Sequence, residues 1–112
     1  MEHAIQSTIE YTRERRTFGQ PVLNNQHVFF KFAELQTEVE ALRSLLYRAC
    51  GLYVTTAEAT ALVSMAKYKA GKLSRVVADE CLQFWGGMGY AAETPISRYF
   101  RCFLFLQIFF IF

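Results

Sequence analysis

The feature that most constrains the fold is a run of regularly spaced apolar residues in the first half of the chain. Val28, Phe32, Leu35, Val39, Leu42, Leu46, Ala49 and Tyr53 follow one another in alternating steps of four and three. A mean spacing near 3.5 residues puts them on one side of a long α-helix packed nearly parallel or antiparallel to a neighbour. A second stripe, Val63, Ala66, Ala70, Leu73, Val77, Cys81 and Phe84, reads as that neighbour. Small residues at Ala66, Ala70 and Gly71 let another helix approach closely. Two helices of ~40 Å each use up much of a chain of 112 residues, which is one domain's worth.

The remaining segments fit around them. A first helix is expected from about Glu2 to Arg15, with Ala4, Ile5, Ile9 and either Tyr11 or Thr12 on one face. Arg13, Arg15 and Arg16 cluster at its end, where cations favour the dipole, and Gly19 and Pro21 stop it. Asn24 or Asn25 caps the second helix. Thr55 and Thr56 mark a short turn, and the third helix runs from about Ala57 to Trp85. Gly86 and Gly87 supply the positive φ that ends it, and Gly89 prolongs the irregular stretch. Thr94 and Pro95 read as a cap and a first helical residue, starting a fourth helix near Ile96. No strand-like alternation occurs before residue 102. The expectation is an all-α, up-and-down helical bundle.

Composition narrows the function. With 20% charged residues and a net charge of +2, disorder by charge excess is excluded and nucleic acid finds no basic face. Cys50, Cys81 and Cys102 form no CxxC pair and suit a reducing compartment. Near the N-terminus, Glu2 and Glu10 fit neither a secretory signal nor a transit peptide. Apolar residues make up 53%, and the mean hydropathy is +0.13. The excess has an address: ten of the eleven side chains in residues 102–112 are apolar, Gln107 being the exception. That run is about half the ~20 residues a helix needs to cross a bilayer. It also lacks the amphipathic charge pattern of a surface-bound helix, so no membrane partner is expected.

Few residues could carry chemistry by themselves. Asp79 is the sole aspartate, and no serine is placed beside it for a triad. The Glu-x-x-His pattern of bundle metal sites is absent, so no metal is assigned, and His27 reads as a surface or capping residue. Gly86-Gly87-Met88-Gly89 follows a helix rather than a strand, which rules out a dinucleotide fingerprint. It is either a plain terminator or bare backbone that a ligand approaches closely. Arg15-Arg16-Thr17-Phe18-Gly19 is either a solvated helix end or a set of donors for a phosphate or pyrophosphate.

Taken together, these segments resemble the C-terminal domain of acyl-CoA dehydrogenases. The resemblance rests on Glu14-Arg15-Arg16-Thr17-Phe18-Gly19-Gln20-Pro21, with Gln26 eleven residues after Arg15. It rests also on Ala66-Lys67 and on Gln83-Phe84-Trp85-Gly86-Gly87-Met88-Gly89-Tyr90, with Glu93, Pro95 and Arg98 behind. It implies a helical bundle that packs against two further domains and binds FAD across a subunit boundary, in dimers or tetramers. Arg15, Arg16 and Thr17 match positions that touch the FAD pyrophosphate of a neighbouring subunit. Gln26 matches another FAD contact, and Gln83, Phe84, Trp85, Gly86 and Gly87 match the segment against the adenosine end.

The departures shape the expectation as much. The resemblance stops at Arg101, which divides the chain into a family-like domain (1–101) and an apolar non-family tail (102–112). The tail reads as translated non-family sequence, with the last helix of the bundle missing or replaced. The flavin-facing loop that carries a catalytic glutamate in many members is absent, as are the upstream helix that carries it in others and the middle domain. No catalytic residue is therefore assigned. The resemblance implies the FAD-binding and oligomerisation domain of an acyl-CoA α,β-dehydrogenase, inactive as this chain alone and mitochondrial by family habit. The alternative is a non-catalytic helical module that associates with full-length subunits.

Overall fold

The computed structural model describes residues 1–111, and the side-chain surroundings as far as Phe105. Helix α1 (Glu2–Glu14) leads into two-residue strands β1 (Arg16–Thr17) and β2 (Gln20–Pro21), then a 3-10 turn at Val22–Asn24. Helices α2 (Gln26–Thr56) and α3 (Thr60–Trp85) form a long antiparallel pair. A single turn, α4 (Gly87–Tyr90), precedes α5 (Pro95–Ile111). The expected all-α, up-and-down bundle forms.

Helix α3 is the centre of the assembly, with α2, α1 and α5 all packed on it. The core collects the predicted stripes, among them Phe32, Leu35, Val39 and Leu42 from α2 and Ala66, Leu73, Val77 and Cys81 from α3. Ala4 and Ile5 of α1 and Ile96 of α5 complete it. Gly71 is buried, as close helix approach requires. Leu46, Tyr53 and Val63 were expected on these stripes but are exposed. Their helices outrun α1 and α5: Leu52, Val54, Met65 and Tyr68 around them are exposed as well. Helical period puts a residue on a face, but a neighbour must be long enough to cover it.

Three local expectations are corrected. Strands do occur before residue 102, as a hairpin pairing Arg16 with Pro21 and Thr17 with Gln20. Its two-residue loop is Phe18 and Gly19, with φ of 52° and 81°. Two left-handed residues match the twist of a tight hairpin, and strands this short leave no alternation to read. The turn between α2 and α3 lies after Thr55 and Thr56, which both belong to α2. Their hydroxyls bond back to the Gly51 and Leu52 carbonyls, and Ala57 takes the left-handed cap at φ 56°. Gly87 and Gly89 are helical in α4 rather than irregular. A Cβ on Gly89 would lie 3.0 Å from the Leu82 carbonyl and 3.1 Å from Trp85 Cβ, so its bare backbone lets α4 fold against α3.

Polar groups under α1 are satisfied in place. Thr8 and Thr12 are fully buried, their hydroxyls donating to the carbonyls of Ala4 (2.6 Å) and Thr8 (2.9 Å). Burial pushes the Cys81 thiol up to about 11, against an opposing hydrogen bond with Thr8. A thiol whose folded pKa exceeds its unfolded value of 9.0 keeps its proton longer in the fold. Stability therefore declines as pH rises from the unfolded value toward about 11. With iodoacetamide at about pH 8, Cys50 and Cys102, which are exposed, should alkylate in the folded chain. Cys81 should react only after unfolding, and peptide mass spectrometry reads the difference.

Candidate functional site

The two motifs singled out in the sequence meet at one end of the bundle. Arg15 follows the last residue of α1 in extended backbone (φ −69°, ψ 127°), so its side chain is released from the helical phase. Its Nη1 donates to the Trp85 carbonyl at 3.1 Å and to the Tyr11 hydroxyl at 3.1 Å. The cation thus complements the negative end of α3, not that of its own helix. The Tyr11 hydroxyl also reaches the Trp85 carbonyl, at a long 3.4 Å.

A flat aromatic pair holds this arrangement. The rings of Tyr11 and Trp85 stack with centroids 4.0 Å apart and planes within 5°. The indole Nε1 donates to Thr8 Oγ1 at 3.0 Å, which fixes the ring along its length. Thr8 and Tyr11, three residues apart, share one edge of α1 beside the end of α3, and Arg15 reaches the same point from extended backbone just past the helix.

Gly86 completes the junction. At φ 58° and ψ −139° it adopts backbone that other residues avoid, and a Cβ there would lie 3.1 Å from Arg15 Nη1. The missing side chain makes room for the guanidinium. Among the described residues, the Nε and Nη2 donors of exposed Arg15 find no protein acceptor. An Nε–Nη2 edge has the fork geometry that can pair bidentately with a carboxylate or phosphate.

The other predicted residues surround this point to different degrees. Arg16 and Thr17 are exposed on β1, one and two residues beyond Arg15. The hairpin base is tied to it by the Val22 N–H, which donates to the Arg15 carbonyl at 2.9 Å. Gln26 is the exposed first residue of α2, behind Asn25, whose side chain caps the helix by accepting from the His27 N–H. No hydrogen bond among the described residues ties Gln26 to Arg15, Tyr11 or Trp85. Gln83 is exposed on the last turn of α3 and lines a cleft of about 460 Å³ with Gly86, Tyr90 and Arg101. Phe84 turns into the core against Phe32, at 5.0 Å between centroids, leaving its backbone to the site. Gly87 is exposed at the start of α4. A groove of similar volume between α1 and α2, crossed by the Arg43–Glu2 ion pair, contains none of these residues.

Comparison with known proteins gives this geometry a family. Residues 1–110 match the family described as acyl-CoA dehydrogenase, C-terminal domain. The chain belongs to the acyl-CoA dehydrogenase family. The match runs past Arg101, where the resemblance read from the sequence stops, and α5 crosses that point without a break. Cyclohexane-1-carbonyl-CoA dehydrogenase of Geobacter metallireducens is 37% identical over 108 residues, covering 96% of this chain and 28% of that protein. The mitochondrial short/branched chain specific acyl-CoA dehydrogenase of Bos taurus is 36% identical over 94 residues, 84% of this chain and 22% of that protein. The solved butyryl-CoA dehydrogenase of Megasphaera elsdenii superposes with a TM-score of 0.92 at 32% identity, covering 97% of this chain and 28% of that one. The chain therefore spans less than a third of the length of these relatives.

Within this acyl-CoA dehydrogenase domain, two residues of the junction carry no functional mark in the sequence. Tyr11 reads from sequence only as a core alternative to Thr12, and nothing there sets Thr8 apart. The three-residue spacing of Thr8 and Tyr11 is the available signal, but it means nothing until the end of α3 lies beside them. Phe18 is fully exposed at the hairpin tip despite its positive φ. The Phe-Gly pair was the cue, since a two-residue loop with both φ positive lifts its first side chain off the strands. Gly86→Ala should destabilise the chain by about 1–3 kcal/mol through backbone strain. Pressing a methyl on Arg15 should add to that loss, and thermal unfolding followed by circular dichroism measures the total.

Proposed function

We propose that this chain is the C-terminal FAD-binding and oligomerisation domain of an FAD-dependent acyl-CoA dehydrogenase. The observation that carries the reading is the Arg15 guanidinium, anchored through Nη1 at the glycine turn while its other edge faces outward. A preorganised arginine fork fits a pyrophosphate without reordering a long side chain. Arg16 and Thr17 supply further donors beside it. The backbone of Gln83 to Gly87 and the adjoining cleft form the floor for the adenosine end, and Gln26 adds a polar contact from α2. When bound, FAD supplies the hydride acceptor of an α,β-dehydrogenation. This chain's own residues bind and orient the dinucleotide and contribute no proton-abstracting carboxylate.

Oligomer formation is supported by the exposed apolar residues where α2 and α3 outrun their neighbours, including Leu46, Tyr47, Tyr53 and Met65. The same patch favours the second reading, association with full-length subunits, which co-purification with a full-length family member tests. A mitochondrial location draws support from the name of the bovine relative, while the Geobacter relative is bacterial.

Arg15→Ala should weaken FAD binding, measured by calorimetry, by a factor on the order of 10–100, as expected for losing a charge-assisted bidentate contact. Affinity unchanged by the substitution removes the reading. Acyl-CoA-dependent dye reduction by the 112-residue chain should stay at background, and measurable turnover would overturn the absence of a base.

A further inference from the structure

We propose that Tyr11 is a positioning residue for anion binding, acting through Arg15 rather than on the ligand. The proposal rests on the reading of Arg15 as the phosphate-binding arginine and adds what holds that arginine in place. An arginine just past a helix end has four free torsions, and a solvated guanidinium would sample many directions. Here two acceptors close on the same nitrogen: the Tyr11 hydroxyl and the Trp85 carbonyl each lie 3.1 Å from Nη1. With both Nη1 protons directed inward, the planar group can turn only its Nε–Nη2 edge outward. Two points of attachment set the plane of the fork, whereas the carbonyl alone would leave it free to pivot.

The hydroxyl can do this because its own ring cannot move. Tyr11 lies flat on Trp85 at 4.0 Å, and Trp85 is pinned through Nε1 to Thr8, itself fully buried and bonded to the Ala4 carbonyl. The order that begins in the core under α1 is passed outward through Thr8, the indole and the phenol to the guanidinium. The Arg15 Cζ also lies 5.8 Å from the Tyr11 ring centroid, so the π-face keeps the cation close even without the hydroxyl. Removing the hydroxyl should thus free the direction of the fork while leaving its charge in place.

Tyr11→Phe isolates that role, since it keeps the ring and loses only the oxygen. Trp85 is the single tryptophan, so its emission reports whether the stack survives, and it should be unchanged. The Arg15 side chain should become more mobile in the variant, read as a lower heteronuclear NOE of its Nε–Hε group, which needs no ligand to observe. Titration with FAD and with inorganic pyrophosphate should show both weakened roughly five- to twenty-fold. In an Arg15→Ala background the same substitution should change neither affinity, because nothing remains to position. Equal affinity of wild type and Tyr11→Phe, or a full additional loss in the Arg15→Ala background, overturns the positioning role while leaving the phosphate site standing. Wild-type chain that binds neither probe overturns the phosphate reading itself, and an Nε–Hε signal indifferent to Tyr11→Phe then overturns the positioning as well.

Discussion

The stacked pair of Tyr11 and Trp85 is the contact on which the arrangement of this domain's functional end depends. Without it, α1 would meet the end of α3 through small residues and a glycine turn. The stack brings two large apolar faces together, and each ring carries a polar tip that finds a partner: the indole at Thr8, the phenol between Arg15 and the Trp85 carbonyl. Aromatic residues with one apolar body and one satisfied tip are suited to such junctions. The result is a short, rigid connection between the core under α1 and an exposed cation, with no buried polar side chain left unmatched among the described residues.

The architecture around this junction is uneven in a way that divides the labour of the bundle. Near Arg15 and Gly86, α1, α3, α4 and the hairpin converge, and close approach is secured by residues lacking bulk, Gly86 and Gly89. At the other end, α2 and α3 continue as a two-helix projection with apolar side chains in solvent. A two-helix projection buries one face of each helix at most, so that end contributes surface while the near end contributes the converging elements. The overall extents of 56 × 25 × 17 Å reflect the overhang.

Much of this was legible in the residues because helical period is a local signal that survives to the final structure. The α2 stripe from Val28 to Ala49 is buried apart from Leu46, and Pro95 begins α5 where Thr94-Pro95 placed it. What was not legible depended on distance. Leu46, Tyr53 and Val63 obey the period but have no third helix over them. The hairpin of Arg16–Thr17 and Gln20–Pro21 is too short to alternate. For the site, the chemistry of Arg15 and Gly86 could be guessed from residue type, but their partnership joins positions separated by some seventy residues of chain. The contacts of Tyr11 with Arg15 and Trp85 are invisible until that pairing exists.

The position of the Arg15 guanidinium has a thermodynamic consequence of its own. One cation both closes the C-terminal end of α3 and offers its free edge to solvent, so the stability of the fold and the occupancy of that edge share a single group. Whatever binds the ordered fork and not the unfolded chain draws the folding equilibrium with it. Conversely, anything that loosens the α3 terminus raises the entropy a ligand must remove before it can be held. Helix end and outer edge are therefore linked through one side chain, and a substitution at Arg15 alters both together.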